Sequence, residues 1–571
     1  MLSDDTKREE RIRMPGLCLK TQLDLERTCY YWERGRPRPH SLLSTVLSIN
    51  RKSCSRFALS AGGGARVPSI GGPYPQGDSR SGQSRLLMML VLVLSSVLAT
   101  SISAHANGTA AADLPDWVSK AGAKQRPDER RIFLTNSFGA IGDGVQKSTI
   151  AIQQAIDVCA KAGGGIVTFK PGRYVTGALF LKSNVHLRID AGVTLLASQN
   201  DEDYPSISTR VAGIEMKWPA ALINVNDQKR VMLSGGGTID GRGEMWWDRY
   251  RDLRVDYESR GLRWAADYDC QRVRLLVIWK STDVTVENLS FRRSGFWTVQ
   301  VVYSDHVTVN GIKTRNNDGP STDGVDIDSS RYVLVENCDI DSNDDDICLK
   351  AGRDSDGLRV NQPTEFIVIR DNIVRRGNGM ITFGSETSGG IRKVVAYHNH
   401  AIATGEGIRF KSARTRGGFV EDVLIRDLRM ENVSMPFTFT LDWQPSYSYP
   451  ALPSGTQEIP WYWRVLATPV VPPERGLCEF RNITIEDVRI VGAARVFSAS
   501  GLQEKPIINL KWINVIASAY EAGFIDKARN WTMKNVTLHT ADDKPLTMTD
   551  CKNVAMPRIF RMRQARLNRL R

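Results

Sequence analysis

The sequence predicts an all-β fold, a single-stranded parallel β-helix, from a repeated phrase and from the spacing of its copies. The phrase reads apolar, any residue, apolar, Glu or Arg, then Asn or Asp, as in Val284-Thr-Val-Glu-Asn288. Copies begin at Val284, Val307, Val333, Ile367, Val423, Ile483 and Trp531, with weaker copies at Val394 and Leu510. Successive copies lie 21 to 34 residues apart, except for one step of 60 residues. Strand-length alternation at this period is typical of a solenoid whose coils pack on their neighbours.

The region before the repeats contains a predicted export signal. Residues 86–98 form an apolar run after Arg85, and small residues then lead to Ala104-His-Ala106. This pattern is typical of a secretory signal, whereas a membrane span needs about 20 apolar residues. We therefore expect residues 86–106 to be a signal peptide. The mature protein would be exported, periplasmic or extracellular, and not an integral membrane protein.

Residues 1–85 are rich in Arg, Ser, Gly and Pro and carry no copy of the repeat. We expect them to be a non-structural leader that precedes the true start of the protein. The alternative is an unusually long natural leader. N-terminal sequencing of the exported protein distinguishes the two.

The net charge of +13 is concentrated at the two ends of the chain. Residues 1–106 hold 15 Lys or Arg and 8 Asp or Glu, and residues 558–571 hold six Arg and no acid. These two segments account for the whole excess, so the stretch 107–557 is neutral. A nucleic-acid-binding protein would carry a basic stripe on its fold. We therefore expect no nucleic-acid partner.

Cysteine usage permits disulfides but does not identify a metal site. Three of the nine Cys precede the predicted cleavage point, and six would remain in the mature chain. An even number in an exported protein is compatible with disulfides, and the spacing leaves their pairing open. No CxxC pair and no His/Cys cluster indicates zinc. We expect no metal and no cofactor.

The N-terminal elements are predicted in order along the chain. Residues 107–131 are expected to be a linker, followed by a β-helix domain at 132–557. Ser148 is a candidate N-cap for an amphipathic helix at about 149–162, which a glycine run ends and which would cover the open end of the solenoid. Strand-like runs follow at 166–169, 185–189, 193–196 and 231–233.

The 60-residue step between copies marks an insertion at about 431–482 that is rich in Trp, Tyr and Pro. Insertions of this length are often functional. Its aromatic rings would either stack on sugar faces or pack the loop onto the solenoid. The Arg-rich tail at 558–571 is expected to be solvated or disordered, and the protein is expected to be a monomer.

The repeat phase brings six scattered polar residues into one window of neighbouring coils. These residues are Asp323, Asp344, Asp345, Asn378, Arg409 and Lys411. Strands of adjacent coils are about 4.8 Å apart, so the six side chains should share one face. Carboxylates beside cations on one face indicate an active site for an anionic polymer.

The central feature is Asp344-Asp345-Asp346. Adjacent residues of a regular strand point to opposite faces, so two of these carboxylates share a cleft only where the backbone bends. Glycoside hydrolysis needs one carboxylic acid to protonate the leaving oxygen and one carboxylate to activate water or attack the sugar. Crowded carboxylates allow one of them to keep its proton. The alternatives are a solvated acidic turn or a calcium site.

Arg409-Phe410-Lys411 places two cations at i and i+2, which face the same way in an extended strand, while Phe410 faces the core. Arg can hold a sugar carboxylate through two hydrogen bonds. The alternatives are that both cations pair with the Asp cluster or that they are a surface pair.

From about residue 138 to residue 427 the chain resembles glycoside hydrolase family 28, the polygalacturonase family. The phrases that carry the resemblance are Gly236-Gly-Thr-Ile-Asp-Gly-Arg-Gly-Glu-Met-Trp-Trp247, Ser294-Gly-Phe-Trp-Thr298, Ser321-Thr-Asp-Gly-Val-Asp-Ile-Asp328, Asp344-Asp-Asp-Ile-Cys-Leu-Lys350, Gly377-Asn-Gly-Met-Ile-Thr-Phe-Gly-Ser385 and Gly407-Ile-Arg-Phe-Lys411. The resemblance implies a right-handed parallel β-helix (a pectin-lyase-like solenoid) and inverting hydrolysis of pectin-type, galacturonate-containing polysaccharide without metal.

The resemblance also implies roles for individual residues. Asp344 would be the general acid, and Asp323 and Asp345 would position and deprotonate the attacking water. Arg409 and Lys411 would hold the carboxylate of a galacturonate unit. The expected substrate is an acidic plant or algal polysaccharide.

Two positions depart from the family pattern. Ser321 replaces the usual Asn, and Asn378 replaces a His that is thought to tune the proton of the acid. Asn can form hydrogen bonds but carries no charge. Asp346 occupies a position that is usually neutral, and no role is assigned to it. Either the acid is tuned by another group, for example Asp346, or the subsite differs. A rhamnogalacturonan-type hydrolase of the same family therefore stays open.

Two further alternatives use the same solenoid, since fold does not determine function. One is a polysaccharide lyase or epimerase, which would use calcium and an Arg or Lys base. The other is a non-catalytic carbohydrate-binding protein. The sequence does not distinguish endo from exo action.

Overall fold

The computed structural model describes residues 114–455, 458–542 and 544–562. The predicted leader and signal peptide, and the chain from residue 563 onward, lie outside these ranges. Within them, no helix is long and apolar enough to cross a membrane.

The described chain forms the predicted parallel β-helix, whose three sheets run along the solenoid. We name them the site sheet, the repeat sheet and the third sheet. The site sheet contains β5 (Leu179–Leu181), β10 (Ile223–Asn226), β13 (Leu276–Trp279), β16 (Val299–Val302), β19 (Val325–Asp328), β22 (Ile347–Lys350), β25 (Gly379–Phe383), β28 (Glu406–Lys411), β30 (Met435–Thr440) and β34 (Thr547–Thr549).

The repeat sheet contains β1 (Ile132–Leu134), β3 (Gly165–Thr168), β6 (Val185–Arg188), β11 (Lys229–Ser234), β14 (Thr282–Glu287), β17 (Asp305–Asn310), β20 (Arg331–Glu336), β23 (Thr364–Arg370), β26 (Ile391–Tyr397) and β35 (Lys552–Val554). The third sheet contains β2 (Asp143–Lys147), β4 (Gly172–Thr176), β7 (Val193–Ala197), β12 (Thr238–Asp240), β15 (Ser290–Arg292), β18 (Lys313–Arg315), β21 (Asp339–Ser342), β24 (Ile373–Arg376), β27 (His400–Ile402) and β36 (Arg558–Arg561). Four long strands bend from sheet to sheet: β29 (Phe419–Glu431), β31 (Glu479–Ser500), β32 (Ile507–Asp526) and β33 (Ala528–Thr540).

The repeat phrase is stacked in register along the repeat sheet, as the sequence predicts. Val284 pairs with Val307, and Val307 pairs with Val333. The same alignment joins Val423 to Ile483 across the 60-residue step. The apolar positions of the phrase point into one continuous core between the three sheets.

The backbone conformation explains why the phrase usually ends in Asn or Asp. In all nine copies the fifth residue has a left-handed backbone, for example Asn288 at φ 55° and Asp371 at φ 56°. Asn and Asp adopt this conformation more readily than other side chains, and glycine, found in the copy at Gly311, adopts it freely. The left-handed residue turns the chain from the repeat sheet into the third sheet.

The capping helix α1 spans Thr149–Lys161, in agreement with the prediction, and buries Ile152, Ile156 and Cys159 against the first coils. Ser148 does not act as predicted. Its hydroxyl bonds to the backbone of Ile141 instead of to a helix amide, because it closes the loop that precedes the helix. The remaining helices are α2 (Glu244–Ser259), α3 (Ala266–Asp269), α4 (Asp354–Val360), α5 (Pro445–Ser448) and α6 (Trp461–Leu466).

Both ends of the β-helix differ in detail from expectation. Residues 114–131, expected to be a linker, run along the outside of the solenoid, where Gly122 N donates to Tyr332 O and Arg126 pairs with Glu287. The third sheet continues into the expected tail, since β36 pairs with Thr537–Thr540 of β33.

The six described cysteines are all free thiols, and five of them are buried.

The insertion begins later than the sequence indicated. Residues 431–440 still belong to a regular coil, and β30 pairs with β28. The part that leaves the solenoid runs from residue 441 to residue 478 and contains α5 and α6.

A second segment outside the solenoid is an antiparallel hairpin of β8 (Ser206–Val211) and β9 (Ile214–Pro219).

A satellite apolar core joins the hairpin, the α2–α3 region and the insertion. It contains Trp218, Trp264, Tyr268, Trp297, Trp463 and Leu466. This core stands over one part of the site sheet and forms a wall of the cleft described below.

Candidate functional site

The candidate site lies on the outer face of the site sheet, just before β19, β22, β25 and β28. Hydrogen bonds from Gly324 N to Asp345 O and from Asp346 N to Gly379 O continue the ladder beyond the strands. The outward positions aligned by this ladder are Asp323, Asp345, Gly379 and Glu406. The next positions, which face inward, are Gly324, Asp346, Met380 and Gly407.

This arrangement departs from strand alternation, because Met380 and the following Ile381 are both in the core. The chain bends around residues 343–346, as the sequence required for two adjacent carboxylates to share a cleft. The bend lets Asp344 and Asp345 reach the outer face while Asp346 turns inward.

Asp345 is the hub of the site. Its carboxylate accepts hydrogen bonds from Lys411 Nζ at 2.8 Å, Thr382 Oγ1 at 2.8 Å and Arg409 Nη1 at 3.2 Å. Burial opposes ionisation of Asp345, but the charges of Lys411 and Arg409 outweigh it and hold its pKa well below the usual range. Asp345 is therefore a buried, ionised carboxylate.

Arg409 and Lys411 thus pair with the Asp cluster in this structure. The sequence analysis gave this pairing as the alternative to two cations that are free to bind a sugar carboxylate. Phe410 between them faces the core as predicted and stacks on Phe383 with ring centroids 4.3 Å apart. This stack sits under the strand and holds both cations on the outer face.

Asp344 is half-buried at the edge of the site. Its Oδ1 accepts from the backbone N of Asp345 at 3.0 Å and lies 3.4 Å from Asn378 Nδ2. Burial and the neighbouring negative charge of Asp345 raise the pKa of Asp344, against the opposing effect of Lys411. The pKa values of two adjacent carboxyls are therefore shifted in opposite directions, upward for Asp344 and downward for Asp345.

Asp323 lies in a buried cluster around Lys350. Lys350 Nζ is 3.6 Å from Asp323, 3.3 Å from Asp326 and 3.6 Å from Glu386, and it lies 4.8 Å from the centre of the Trp297 ring. Burial and the charge of Asp326 raise the pKa of Asp323 well above its usual range. Burial likewise raises the pKa of Asp326 to about 7, so this coupled pair retains a proton.

Oxygen atoms of Asp323 and Asp326 and the sulfur of Cys348 lie within 4.8 Å of one another, a spacing that could hold a metal ion. The ammonium group of Lys350 already occupies the neighbourhood of both carboxylates. A cation at this position is opposed by that charge, so the donor set does not fit a divalent metal.

The structure brings all six predicted residues together and adds four that the sequence reasoning missed: Asp326, Lys350, Glu386 and Glu406. A signal for two of them was available. Asp326 and Lys350 alternate with the core residues Ile327 and Leu349, so each is a polar residue at an outward position of a strand. Glu386 follows β25 in a loop, and no periodic pattern reaches it.

Asp346 is on the opposite side of the backbone from the cleft. Both of its oxygens are buried without a hydrogen-bond partner, close to Gly377. Burial, together with Asp345 and Asp341, raises the pKa of Asp346 well above its usual range. Asp346 is therefore a neutral interior carboxyl, which explains why this position suits an uncharged residue.

The insertion contributes one aromatic ring to the cleft and buries two others, those of Tyr447 and Trp463. Lys411 Nζ lies 4.8 Å from the Trp443 ring centre, and Trp443 is half-buried. The guanidinium groups of Arg263 and Arg353 lie 5.0 and 4.7 Å from the Tyr447 ring centre, and Trp463 is in the satellite core. Packing therefore accounts for Tyr447 and Trp463, while Trp443 is placed to face a ligand.

One side of the site is closed. Outward residues on the coils before the site are buried, with Asn224 at 0%, Val277 at 1% and Gln300 at 0% exposed. Gln300 accepts from Arg274 Nη1 at 2.5 Å and donates to Arg210 O of the hairpin at 3.2 Å. In the other direction the face opens, because Asp344, Arg409 and Thr440 are partly exposed.

Comparison with known proteins gives consistent relatives. The model of glycosyl hydrolases family 28 matches residues 173–449. The chain is 32% identical over 320 residues to a "Probable polygalacturonase" of Vitis vinifera, covering 53% of this chain and 61% of that protein. It is 30% identical over 305 residues to an "Endo-polygalacturonase" of Pectobacterium carotovorum subsp. carotovorum, covering 51% of this chain and 70% of that protein.

Among solved structures, a hyperthermoactive exopolygalacturonase from Thermotoga maritima matches with a TM-score of 0.60 and 25% identity, covering 70% of this chain and 90% of that chain. The alignment spans less than two thirds of the length of the Vitis vinifera relative.

Proposed function

The chain belongs to glycosyl hydrolases family 28, and on that premise we propose that it hydrolyses glycosidic bonds in a pectin-type, galacturonate-containing polysaccharide with inversion. The observation that carries the proposal is the contrast between two adjacent carboxyls, Asp344 with a raised pKa and Asp345 with a lowered one. When their surroundings shift the pKa values of two carboxyls in opposite directions, one can act as an acid and the other as a base at the same pH.

In the proposed reaction Asp344 donates its proton to the glycosidic oxygen as the bond from that oxygen to the anomeric carbon breaks. A water molecule attacks the anomeric carbon from the opposite side and gives up a proton to Asp345. Asp323 orients this water. One water is consumed, and inversion requires the acid and base carboxyls to stand roughly 6.5–9.5 Å apart across the bond.

The departures from the family pattern are compatible with this scheme. Asn378 can only orient Asp344, at 3.4 Å, and cannot tune it by charge. Burial and the charge of Asp345 already raise the pKa of Asp344, so its protonated form is favoured without a histidine. Asp346 has no role in the cleft, because its oxygens lie in the interior.

Arg409 and Lys411 are proposed to contact the sugar unit at the open side of Asp344. Both are already bonded to Asp345, and each keeps N–H donors that could reach a ligand. Trp443 beside Lys411 supplies a ring face for the same unit.

We also propose that the enzyme acts at chain ends. An internal bond of a long polymer can be cut only in a groove that is open on both sides of the site. Here Gln300, Arg274 and the hairpin fill the face on one side. The satellite core stands beside them, so a polysaccharide would enter from the open side and stop at this wall.

Residues 107–571 are proposed to be the mature, exported and monomeric protein. The support is the signal-like sequence at 86–106, which lies outside the described residues. Mass spectrometry of the protein recovered from the culture medium or periplasm would test this, since a peptide from residues 1–80 would contradict it.

The test of the activity compares purified protein with its Asp344→Asn variant on polygalacturonate and on rhamnogalacturonan. Reducing ends, solution viscosity and product masses are followed with a chelator present. Saturated products from the wild type alone support hydrolysis, and one short product with little loss of viscosity supports end action. Products two hydrogens short would indicate a lyase, binding without products would indicate a carbohydrate-binding protein, and a preference for rhamnogalacturonan would identify that branch.

A further inference from the structure

Lys350 is a buried cation to which the proposed reaction gives no role. Its ammonium nitrogen lies 3.3 Å from Asp326 Oδ1 and 3.6 Å from both Asp323 Oδ2 and Glu386 Oε2. The side chains of all four residues are at most 6% exposed. One positive charge therefore faces three carboxyl groups in a site that solvent hardly reaches.

Packing fixes the position of this ammonium group. Lys350 belongs to β22, and its Nζ lies 4.8 Å from the centre of the Trp297 ring. Glu386 is held by the hairpin, whose turn comes so close that a Cβ added at Gly213 would lie 2.7 Å from Glu386 Cγ. The strand, the Trp297 ring and the hairpin together keep the ammonium group beside Asp323.

The two carboxyl groups that contact the attacking water in the proposed reaction have different numbers of cations around them. Asp345 bonds to two cations of its own. Asp323 shares the single ammonium group of Lys350 with two other carboxyls. Burial and mutual repulsion raise the pKa of both members of the Asp323–Asp326 pair, which therefore retains one proton and carries one negative charge. A second proton would remove that charge, so the pair is more easily neutralised than Asp345.

We propose that Lys350 and Glu386 are positioning residues for the attacking water. Lys350 holds the Asp323–Asp326 pair as a single negative charge, so that Asp323 accepts a hydrogen bond from the water. Glu386 competes for the same ammonium group and limits this effect. Both residues act through Asp323. The inference rests on the proposed function, since it concerns the side of the same site that binds the water.

Other charged or titratable groups face this cluster from neighbouring strands and loops, and they stay unchanged in the variants below. They are Arg274, Asp328, Asp344, Asp345, Cys348, Lys411 and Arg416. A difference between the variants therefore reports on the charge that was replaced.

The test records kcat/KM for polygalacturonate across pH, since the limbs of this profile report the titrating groups of the free enzyme. On the acid side the Asp323–Asp326 pair binds its second proton, and activity is lost. Lys350→Met removes the charge that opposes this proton, so the pH of half-activity should rise by about one unit or more. Glu386→Gln leaves the whole Lys350 charge to the pair, so the pH of half-activity should fall, by a smaller amount.

Lys147→Met and Glu421→Gln are the matched controls. Lys147 pairs with Asp203 and Glu421 pairs with Arg481, in both cases outside the cleft. Each control makes the same change of net charge as its partner variant, and neither should move the acid side of the profile.

A second variant covers the case in which Lys350→Met does not fold, as judged by thermal unfolding. Asp326→Asn removes the like charge beside Asp323 and should lower the pH of half-activity, as Glu386→Gln does. An acid side that stays in place in both of these variants would overturn the inference.

A purely structural role would lower the rate or the stability of Lys350→Met and Glu386→Gln without moving the acid side of the profile in opposite directions. Shifts in the same direction, or no shift in either variant, would overturn this inference and leave the proposed function standing, because hydrolysis would still be observed. Absence of hydrolysis by the wild type at every pH would overturn both proposals together.

Discussion

Replacing Asp345 and Asp344 one at a time with Asn should separate stability from catalysis within a single dipeptide. The two side chains are adjacent and the substitutions are isosteric, but their surroundings differ. Asp345 is 2% exposed and bonds to Lys411, which is buried, and to Arg409, which is only 13% exposed. Asp344 is half-buried and accepts only from the amide of its neighbour and, at 3.4 Å, from Asn378.

The expected magnitudes follow from these contacts. Asp345→Asn leaves Lys411 and Arg409 with uncompensated charge at 7% and 13% side-chain exposure. Removing one partner of a buried ion pair costs about 3–5 kcal/mol of unfolding free energy. Asp344→Asn removes no buried ion pair, so we expect a loss below about 1 kcal/mol. It should nevertheless lower kcat by about 10²- to 10⁴-fold, the usual contribution of a general acid.

The assay is urea unfolding of both variants beside release of reducing ends from polygalacturonate and from esterified pectin. Asp318→Asn is a suitable control, because Asp318 is an exposed carboxylate paired with Arg376 outside the cleft. An Asp345→Asn protein as stable as the wild type would refute the assignment of Asp345 as the hub. Normal turnover by Asp344→Asn would refute its role as the acid.

Three further outcomes are expected. Because the pKa of Asp346 is raised, the folded protein retains a proton that the unfolded chain loses. The free energy of unfolding should therefore fall as pH rises from about 4, the ordinary aspartate pKa, through the raised value. Asp346→Ala should flatten this dependence in unfolding curves recorded across pH, and an unchanged slope would contradict an interior neutral carboxyl. Trp443→Ala should raise KM about 5- to 30-fold with a smaller change in kcat, because it removes a ring beside Lys411 without touching the acid. A loss confined to kcat would argue against ring stacking. Dialysis against a chelator should leave the rate of hydrolysis unchanged, because the ammonium group of Lys350 lies among the carboxylates around Asp323. Inactivation that calcium reverses would favour a lyase.

Much of the fold follows from the sequence because a solenoid repeats one local rule. Each copy of the phrase carries apolar residues at strand spacing and ends at a residue suited to a left-handed turn, as at Asn288 and Asp371. Periodicity therefore predicts the coils, their register and the face shared by Asp323, Asp345 and Arg409. The capping helix is likewise a local signal, although the role of Ser148 was decided by the loop before it.

Three features needed the tertiary structure. Side-chain direction at the bend could not be read from alternation, so Asp346 turned inward while its two neighbours turned outward. The wall depends on how the hairpin and the insertion pack together, and no repeat governs those segments. The charge balance of the cleft depends on Lys350 and Glu406 as well as on the predicted residues. Protonation is set by every neighbouring charge and by burial, and both are properties of the folded chain. The sequence determined that the six predicted residues meet, because the register of the coils is periodic. Only the tertiary structure decided which of them keep a proton and from which side a polymer can reach them.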